Sequence, residues 1–269
     1  MDNLINAGFE KEGYVQVINN ELNEFDNENS GFSLLINFEG KKILFDFGIG
    51  REVKENLLKI GLTEEDIDFF VLSHGHIDHT QGIKYLTLNE KKKFICHPRA
   101  LEGKFFEGRS IGFPLTKEYL ENHFEIICSK EPYEIIKDKV FFLGEIPREN
   151  LLNEKNFPGK LADGSIDFCI DDSAIALKTD KGILLIVGCS HSGIDNIINY
   201  SKGLFNNEKI YGILGGMHML NLDSLRKVSS ILEKENIANI FPTHCIINEN
   251  KESFPLFQKR LKTFDKVYF

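Results

Sequence analysis

No apolar run in the 269-residue sequence approaches the roughly 20 residues that span a bilayer. A membrane-crossing helix is therefore not expected. The opening Met1-Asp2-Asn3-Leu4 lacks the basic and apolar segments of a secretory signal, which points to the cytoplasm. The five cysteines are odd in number and scattered, and they give no disulfide framework. In a reducing compartment such residues serve as small buried hydrophobes or as ligands. Basic excess is also missing. The formal net charge is −9, which disfavours a nucleic-acid partner because gripping its backbone needs a basic field. No repeat of fixed period and no evident linker divides the chain. A single domain over 1–269 is expected, with 42% apolar residues to fill its core and a small molecule as its partner; the oligomeric state is left open.

Strand-like apolar runs lie at 14–18, 32–38, 42–47, 69–72, 94–96, 125–128, 140–143, 173–177, 183–187, 210–214 and 239–241. Helical patterns fall at 52–60, 81–88, 117–122, 194–202, 224–235 and 253–263. Glu39-Gly40, Asp180-Lys181-Gly182 and Gly215-Gly216 supply turns. Hairpin-like strands come first, and helix and strand alternate later, a pattern of sheets covered by helices. Two stretches of weak periodicity, 101–115 and 151–166, read as loop insertions or lids.

The densest chemistry is His74-Gly75-His76-Ile77-Asp78-His79, placed between the apolar run 68–73 and a helix-like segment at 80–86. Three imidazoles and a carboxylate in one short loop suit a divalent metal. His74 and His76, two residues apart, converge on an extended or turning segment and diverge on a helix. One loop thus serves two metal positions, the first through His74 and His76, the second through Asp78 and His79. Three further histidines follow apolar runs: His191, His218 and His244. His191 and His244 read as added ligands, and His218 as a ligand or a substrate-contacting group. His97, between an apolar run and Pro98, reads as a structural cap or a substrate contact, and His123 as an exposed side chain.

His-x-His-x-Asp-His after a strand resembles the signature of the metallo-β-lactamase-fold hydrolase superfamily. Phe45-Asp46-Phe47-Gly48 is similar to its first motif, in which an aspartate supports the metal site from behind. Pro242-Thr243-His244 resembles its last histidine motif. The resemblance implies an α+β fold: an αββα sandwich of two mixed sheets flanked by helices, with one or two divalent ions at the sheet rim. Zinc is the first choice, with manganese or iron as alternatives. Ser73–His76, Cys96-His97-Pro98, Gly144–Arg148, Asp171-Asp172, Gly188–Gly193, Gly215–His218 and Pro242–Cys245 extend the likeness along nearly the whole chain. They resemble the subgroup that contains the dihydropterin–ribofuranosylaminobenzene 5′-phosphate synthase of methanopterin biosynthesis. Three departures stand out. Many members end a strand in Gly-Asp to bridge two metals, whereas the comparable strand here ends in Gly188-Cys189. Cys189 then either binds metal or is buried as an apolar residue, with His191 in place of the missing ligand. The superfamily's middle histidine has no obvious counterpart, and Asp171 or Asp172 occupies that region. A Thr-Gly that often follows the last Pro-x-His-Cys is replaced by Ile246-Ile247.

The resemblance implies a metal-dependent hydrolase that uses activated water on a small anionic ester or phosphoester. His74, His76, His79, His191 and His244 would hold a binuclear centre, and Asp78 would ligate or act as general base. Arg148 or His218 would orient an anionic group. A pterin–aminobenzene-phosphate synthase-like transferase is the second expectation, and a non-catalytic metal-binding module closed by four protein ligands is the third. Flavin-partnered reductases are disfavoured by histidine at position 76, secreted β-lactamases by the missing signal, and RNA-processing nucleases by the acidic charge.

Overall fold

Period-two alternation decides which side chains of this chain face each other. The computed structural model describes residues 13–21, 31–149, 157, 159–246 and 260–269. In chain order it begins with β1 (Gly13–Glu21), β2 (Gly31–Phe38), β3 (Lys41–Phe45), α1 (Glu52–Lys59), β4 (Phe69–Val71), α2 (Ile77–Thr80) and β5 (Lys92–Cys96). There follow β6 (Lys104–Phe106), β7 (Arg109–Ser110), α3 (Lys117–His123), β8 (Phe124–Cys128), β9 (Tyr133–Ile136), β10 (Val140–Phe142) and β11 (Lys160–Leu161). The chain continues through β12 (Ala174–Thr179), β13 (Gly182–Val187), α4 (Ile194–Leu204), β14 (Ile210–Gly215), α5 (Leu222–Lys234), β15 (Asn239–Pro242) and β16 (Lys266–Tyr268).

Two mixed sheets result, in the orders β16-β1-β2-β3-β4-β5-β8 and β15-β14-β13-β12-β10-β9. Each is antiparallel at one end and parallel at the other: β3, β4, β5 and β8 run parallel, as do β13, β14 and β15. Alternate residues of β3 show the layering. Ile43 and Phe45 join Phe142, Ile175, Leu184 and Ile186 between the sheets. Leu44 points the other way, into a cluster with Leu57 of α1 and Leu120 of α3. On the far side, Leu185 and Ile213 pack against Ile197 and Ile198 of α4 and Leu225 and Leu232 of α5. The layers are thus helix, sheet, sheet, helix, which is the expected α+β sandwich. Among the described residues no helix is long and apolar enough to cross a membrane.

All eleven apolar runs fall on strands, with edges shifted by up to three residues. The helix expected at 81–88 is instead α2 followed by a 3-10 turn at Gln81–Tyr85. Phe47 N–H donates to the carbonyl of His79, and Gly82 N–H donates to that of Gly48. Groups that an α-helical ladder would use are therefore taken by the loop after β3. The pattern at 253–263 lies outside the described residues up to 259, and 260–263 carries no helix. The stretch 101–115 is not an irregular lid: its β6 and β7 pair with each other, and β6 pairs with β11 of the second stretch in a small three-stranded sheet. Residues 151–156 and 158 of that second stretch are outside the described residues.

Candidate metal centre

The ligand loop leaves the C-terminal end of β4, and Asp46 fixes it from below. Asp46 follows β3 with a φ of 62°, a left-handed conformation that aspartate tolerates better than most residues. Its carboxylate accepts from Ser73 N–H and from Ser73 Oγ, each at 2.7 Å, and lies 2.7 Å from Nδ1 of His79. Ser73 Oγ is in turn 2.9 Å from Nδ1 of His74. The second sheet closes on this point: a Cβ on Gly188 would come within 2.3 Å of Ser73 Oγ. Only glycine leaves room for the two rims to meet there.

Two groups of ligand-type atoms form above Asp46. His74, His76 and His191 make one, Asp78, His79 and His244 the other, each with its atoms within 4.8 Å of one another. The rings of His74 and His79 join them, with centroids 4.3 Å apart. Ligands about 2.1 Å from a tetrahedral ion sit roughly 3.4 Å from each other. The spacings here are close to that. His74 Nε2 is 3.0 Å from His76 Nδ1, and Asp78 Oδ2 is 3.0 Å from His244 Nε2 and 3.5 Å from His79 Nε2. Nε2 of His191 is buried with no hydrogen-bond partner among the described residues, beside the rings of His74 and His76. A buried polar atom left without a partner is costly, and an ion satisfies it. The residues present therefore fit a divalent metal.

Electrostatics agree with that fit. Burial, reinforced by the rings of His79 and His76, holds the pKa of His74 well below the ordinary range. His191 is lowered likewise by burial and by the rings of His76 and His218. Both rings are neutral near pH 7, as a ligand must be. His79 behaves oppositely. Burial pushes it down, but Asp78 and Asp46 outweigh that and lift it to about 9. Burial alone would raise Asp78, yet His79 and His244 hold its carboxyl below the usual range.

β13, β14 and β15 end on the same rim and deliver His191, His218 and His244. The sequence profile of the metallo-beta-lactamase superfamily matches residues 26–195. The chain belongs to the metallo-β-lactamase superfamily. It is similar to an uncharacterised protein of Methanocaldococcus jannaschii, with 36% identity over 80% of this chain and 83% of the relative. It is also 30% identical, over 80% of each chain, to the 7,8-dihydropterin-6-methyl-4-(β-D-ribofuranosyl)-aminobenzene-5′-phosphate synthase of the same organism. A solved metal-dependent hydrolase of the β-lactamase superfamily superposes with a TM-score of 0.77 at 25% identity, over 95% of this chain and 98% of that one.

Within this superfamily fold, two of the three departures have structural answers, and the third, Ile246-Ile247, runs outside the described residues at 247. Cys189 Sγ lies 3.2 Å from Nε2 of His79 and forms a further ligand-type group with His74 and His79. His218 belongs to no such group among the described residues. Its ring is 4.6 Å from that of His191, and its Nδ1 is buried without a partner among the described residues. Asp172 joins no ligand-type group among the described residues, and its Oδ1 is buried there without a hydrogen-bond partner. It accepts from Ser192 N–H and Ser192 Oγ, fastening the turn that leads into α4. Arg148 donates through its guanidinium to the carbonyls of Phe168 and Cys169, bracing the loop that carries Cys169. His97 caps the turn at Pro98–Leu101, accepting from Arg99 N–H, and its other nitrogen meets Glu145. His123 is half-buried and stacks on Tyr119.

Asp167 and Cys169 were not singled out in the sequence, yet they join His76 in a fourth ligand-type group. Asp167 Oδ2 and Cys169 Sγ each lie 3.6 Å from Nε2 of His76, so they face the nitrogen opposite the one turned to His74. The signal was the Asp-x-Cys spacing, the same two-residue separation that lets His74 and His76 converge. Lys104 of β6, almost fully buried, holds this loop by donating to Asp167 and Asp171. Asp171 also accepts from Gly75 N–H at 2.7 Å. The small three-stranded sheet thereby reaches the ligand loop through one buried ammonium. A cavity of about 400 Å³ opens behind Asp167, lined among others by Arg99, Lys104, Ser165 and Phe168.

Proposed function

We propose that this protein is a metal-dependent hydrolase acting on a small anionic ester or phosphoester. The observation that carries the reading is the pair of adjoining groups, His74–His76–His191 and Asp78–His79–His244, the first holding the His191 nitrogen that has no partner among the described residues. Divalent metal bound there would supply Lewis acidity, polarising a carbonyl or phosphoryl oxygen and making bound water acidic near neutral pH. Zinc suits a donor set of imidazole, carboxylate and thiol, with manganese or iron as alternatives. The protein's own groups do the rest. Ser73 and Asp46 fix the rings of His74 and His79, and Asp78 stays ionised, able to ligate or to accept a proton from water. Arg99 lines the neighbouring cavity, where its half-exposed guanidinium meets Glu102 and can exchange that partner for an anionic substrate group. The test is turnover of aryl phosphoesters and small esters before and after chelation. Activity should vanish on stripping and return with Zn²⁺ or Mn²⁺. Full activity in stripped protein would refute the reading.

A second reading is a transferase that joins a pterin-like and an aminobenzene-like substrate, and it is favoured by the likeness to the archaeal synthase over four-fifths of both chains. Incubation with a pterin pyrophosphate and a phosphorylated aminobenzene riboside separates the two. A coupled product seen by mass spectrometry supports the synthase, and its absence alongside ester hydrolysis supports the hydrolase.

A further inference from the structure

Away from the metal centre, two cysteines face each other across the edge of the seven-stranded sheet. Cys96, the last residue of β5, is the register partner of Cys128, the last residue of the parallel edge strand β8. Their sulfurs are 3.8 Å apart. Neighbouring strands lie about 4.8 Å apart, inside the Cα separation that a disulfide accepts, about 4.4–6.8 Å. The two thiols differ in access. Cys96 is fully buried in the cluster beneath α3, whereas Cys128 is exposed. No other pair of the five cysteines combines an exposed thiol with a buried one in sulfur contact among the described residues.

We infer that Cys96 and Cys128 form a reversible dithiol–disulfide site, with Cys128 as the attacking thiol and Cys96 as the resolving one. The oxidant is a small-molecule disulfide such as glutathione disulfide. Cys128, as thiolate, attacks one glutathione sulfur, breaking its S–S bond and releasing one glutathione thiol. Cys96 then attacks the Cys128 sulfur and releases the second. The two protein thiols lose two protons and two electrons, and one glutathione disulfide becomes two glutathiones. Donation from Cys96 pulls the Cys128 thiol below the ordinary cysteine range, with Lys117 adding to the shift, which favours attack from the exposed side. Both residues end adjacent strands held in register, so bond formation needs the sulfurs to close from 3.8 Å to about 2.05 Å, and the exposed Cys128 leaves the linkage open to reducing thiols.

The experiment treats the full-length, metal-loaded protein with glutathione disulfide and maps its thiols by mass spectrometry. Wild type should lose two hydrogens, with peptides 96 and 128 linked, and dithiothreitol should restore both thiols. Cys96→Ala should instead hold one glutathione on Cys128. Cys128→Ser should leave Cys96 unmodified. Stable glutathione on wild-type Cys128, linkage through other cysteines, or no reaction at excess oxidant would each overturn the inference. The exposed Cys128→Ser change keeps the test decisive if substitution at buried Cys96 prevents folding.

Discussion

The carboxylate of Asp46 and the imidazole of His79 meet at 2.7 Å, and both side chains are wholly buried. Asp46 thus sets the ring so that Nε2, the nitrogen near Cys189 and Asp78, faces the centre. Partners of this kind typically govern metal affinity by about 10- to 100-fold. Asp46→Asn keeps a side chain tolerant of the positive φ but removes the charge, and it should weaken metal binding within that range. Competition with a chromophoric chelator measures it. Wild-type affinity in the variant would mean that the ring is held by other contacts.

Proton release should accompany metal uptake. In the metal-free protein His79 titrates at about 9, so near pH 7.5 its ring carries a proton that an ion at Nε2 must displace. His74 and His191 are already neutral there. The His79 proton alone makes apparent affinity rise by about tenfold per pH unit up to about pH 9, and a Cys189 thiol that binds as thiolate adds a second proton to the count. In the metal-free fold the same raised pKa contributes stability that is complete below the ordinary value of 6.5 and is lost as pH rises through about 9. Titration calorimetry in buffers of different ionisation enthalpy counts the proton. No release at pH 7.5 would contradict the assignment.

Much of this site was legible because its parts are local. His74 to His79 sit within six positions, and β13 reads as an unbroken apolar run because it is buried on both faces. His191 and His244 follow from the same logic, since parallel strands in adjacent positions end on one rim. Asp167 and Cys169 carried only the weak signal of their spacing. They face His76 only because Lys104, 63 residues earlier than Asp167, anchors their loop. Arg148 shows the converse. Its charge suggested a substrate contact, but the carbonyls of Phe168 and Cys169 claim it. Strands β9 and β16 escaped notice because each buries a single side chain, Ile135 or Val267, beside a charged residue, so no apolar run marks them.

Lys104→Met should destabilise the fold sharply. The ammonium is almost fully buried and bonds to Asp167 and Asp171, whose carboxylates would then be left buried without their cation. Breaking a buried pair by removing one partner costs about 3–5 kcal/mol. Urea unfolding measures the loss. Adding Asp167→Asn and Asp171→Asn to the variant should recover a large part of it, because no unpaired charge remains.

Gly75→Ala tests how tightly the ligand loop is seated. A Cβ there would lie 2.3 Å from the carbonyl oxygen of Ala100, a backbone atom that cannot swing aside. The loop must shift, and His74 and His76 move with it. Overpacking costs roughly 1–3 kcal/mol of stability. The larger effect should fall on the group containing His191, with bound metal reduced below the wild-type stoichiometry by elemental analysis. Full occupancy with unchanged thermal stability would show that the turn at 98–101 yields instead.

Cys189 decides the character of the second metal position. Its sulfur is 3.2 Å from His79 Nε2, and burial pushes the thiol pKa well up. A thiol that merely fills space would remain protonated. One that meets a metal is deprotonated outright, since the ion's charge outweighs the desolvation. Cobalt-substituted wild type should then show a thiolate-to-metal charge-transfer band in the near ultraviolet, and Cys189→Ser should lack it while keeping the visible bands of the remaining ligands. The same variant should favour manganese over zinc relative to wild type, because a hard hydroxyl replaces a soft sulfur. Identical spectra for wild type and variant would assign Cys189 to packing alone and leave Asp78, His79 and His244 as the complete protein contribution at that position.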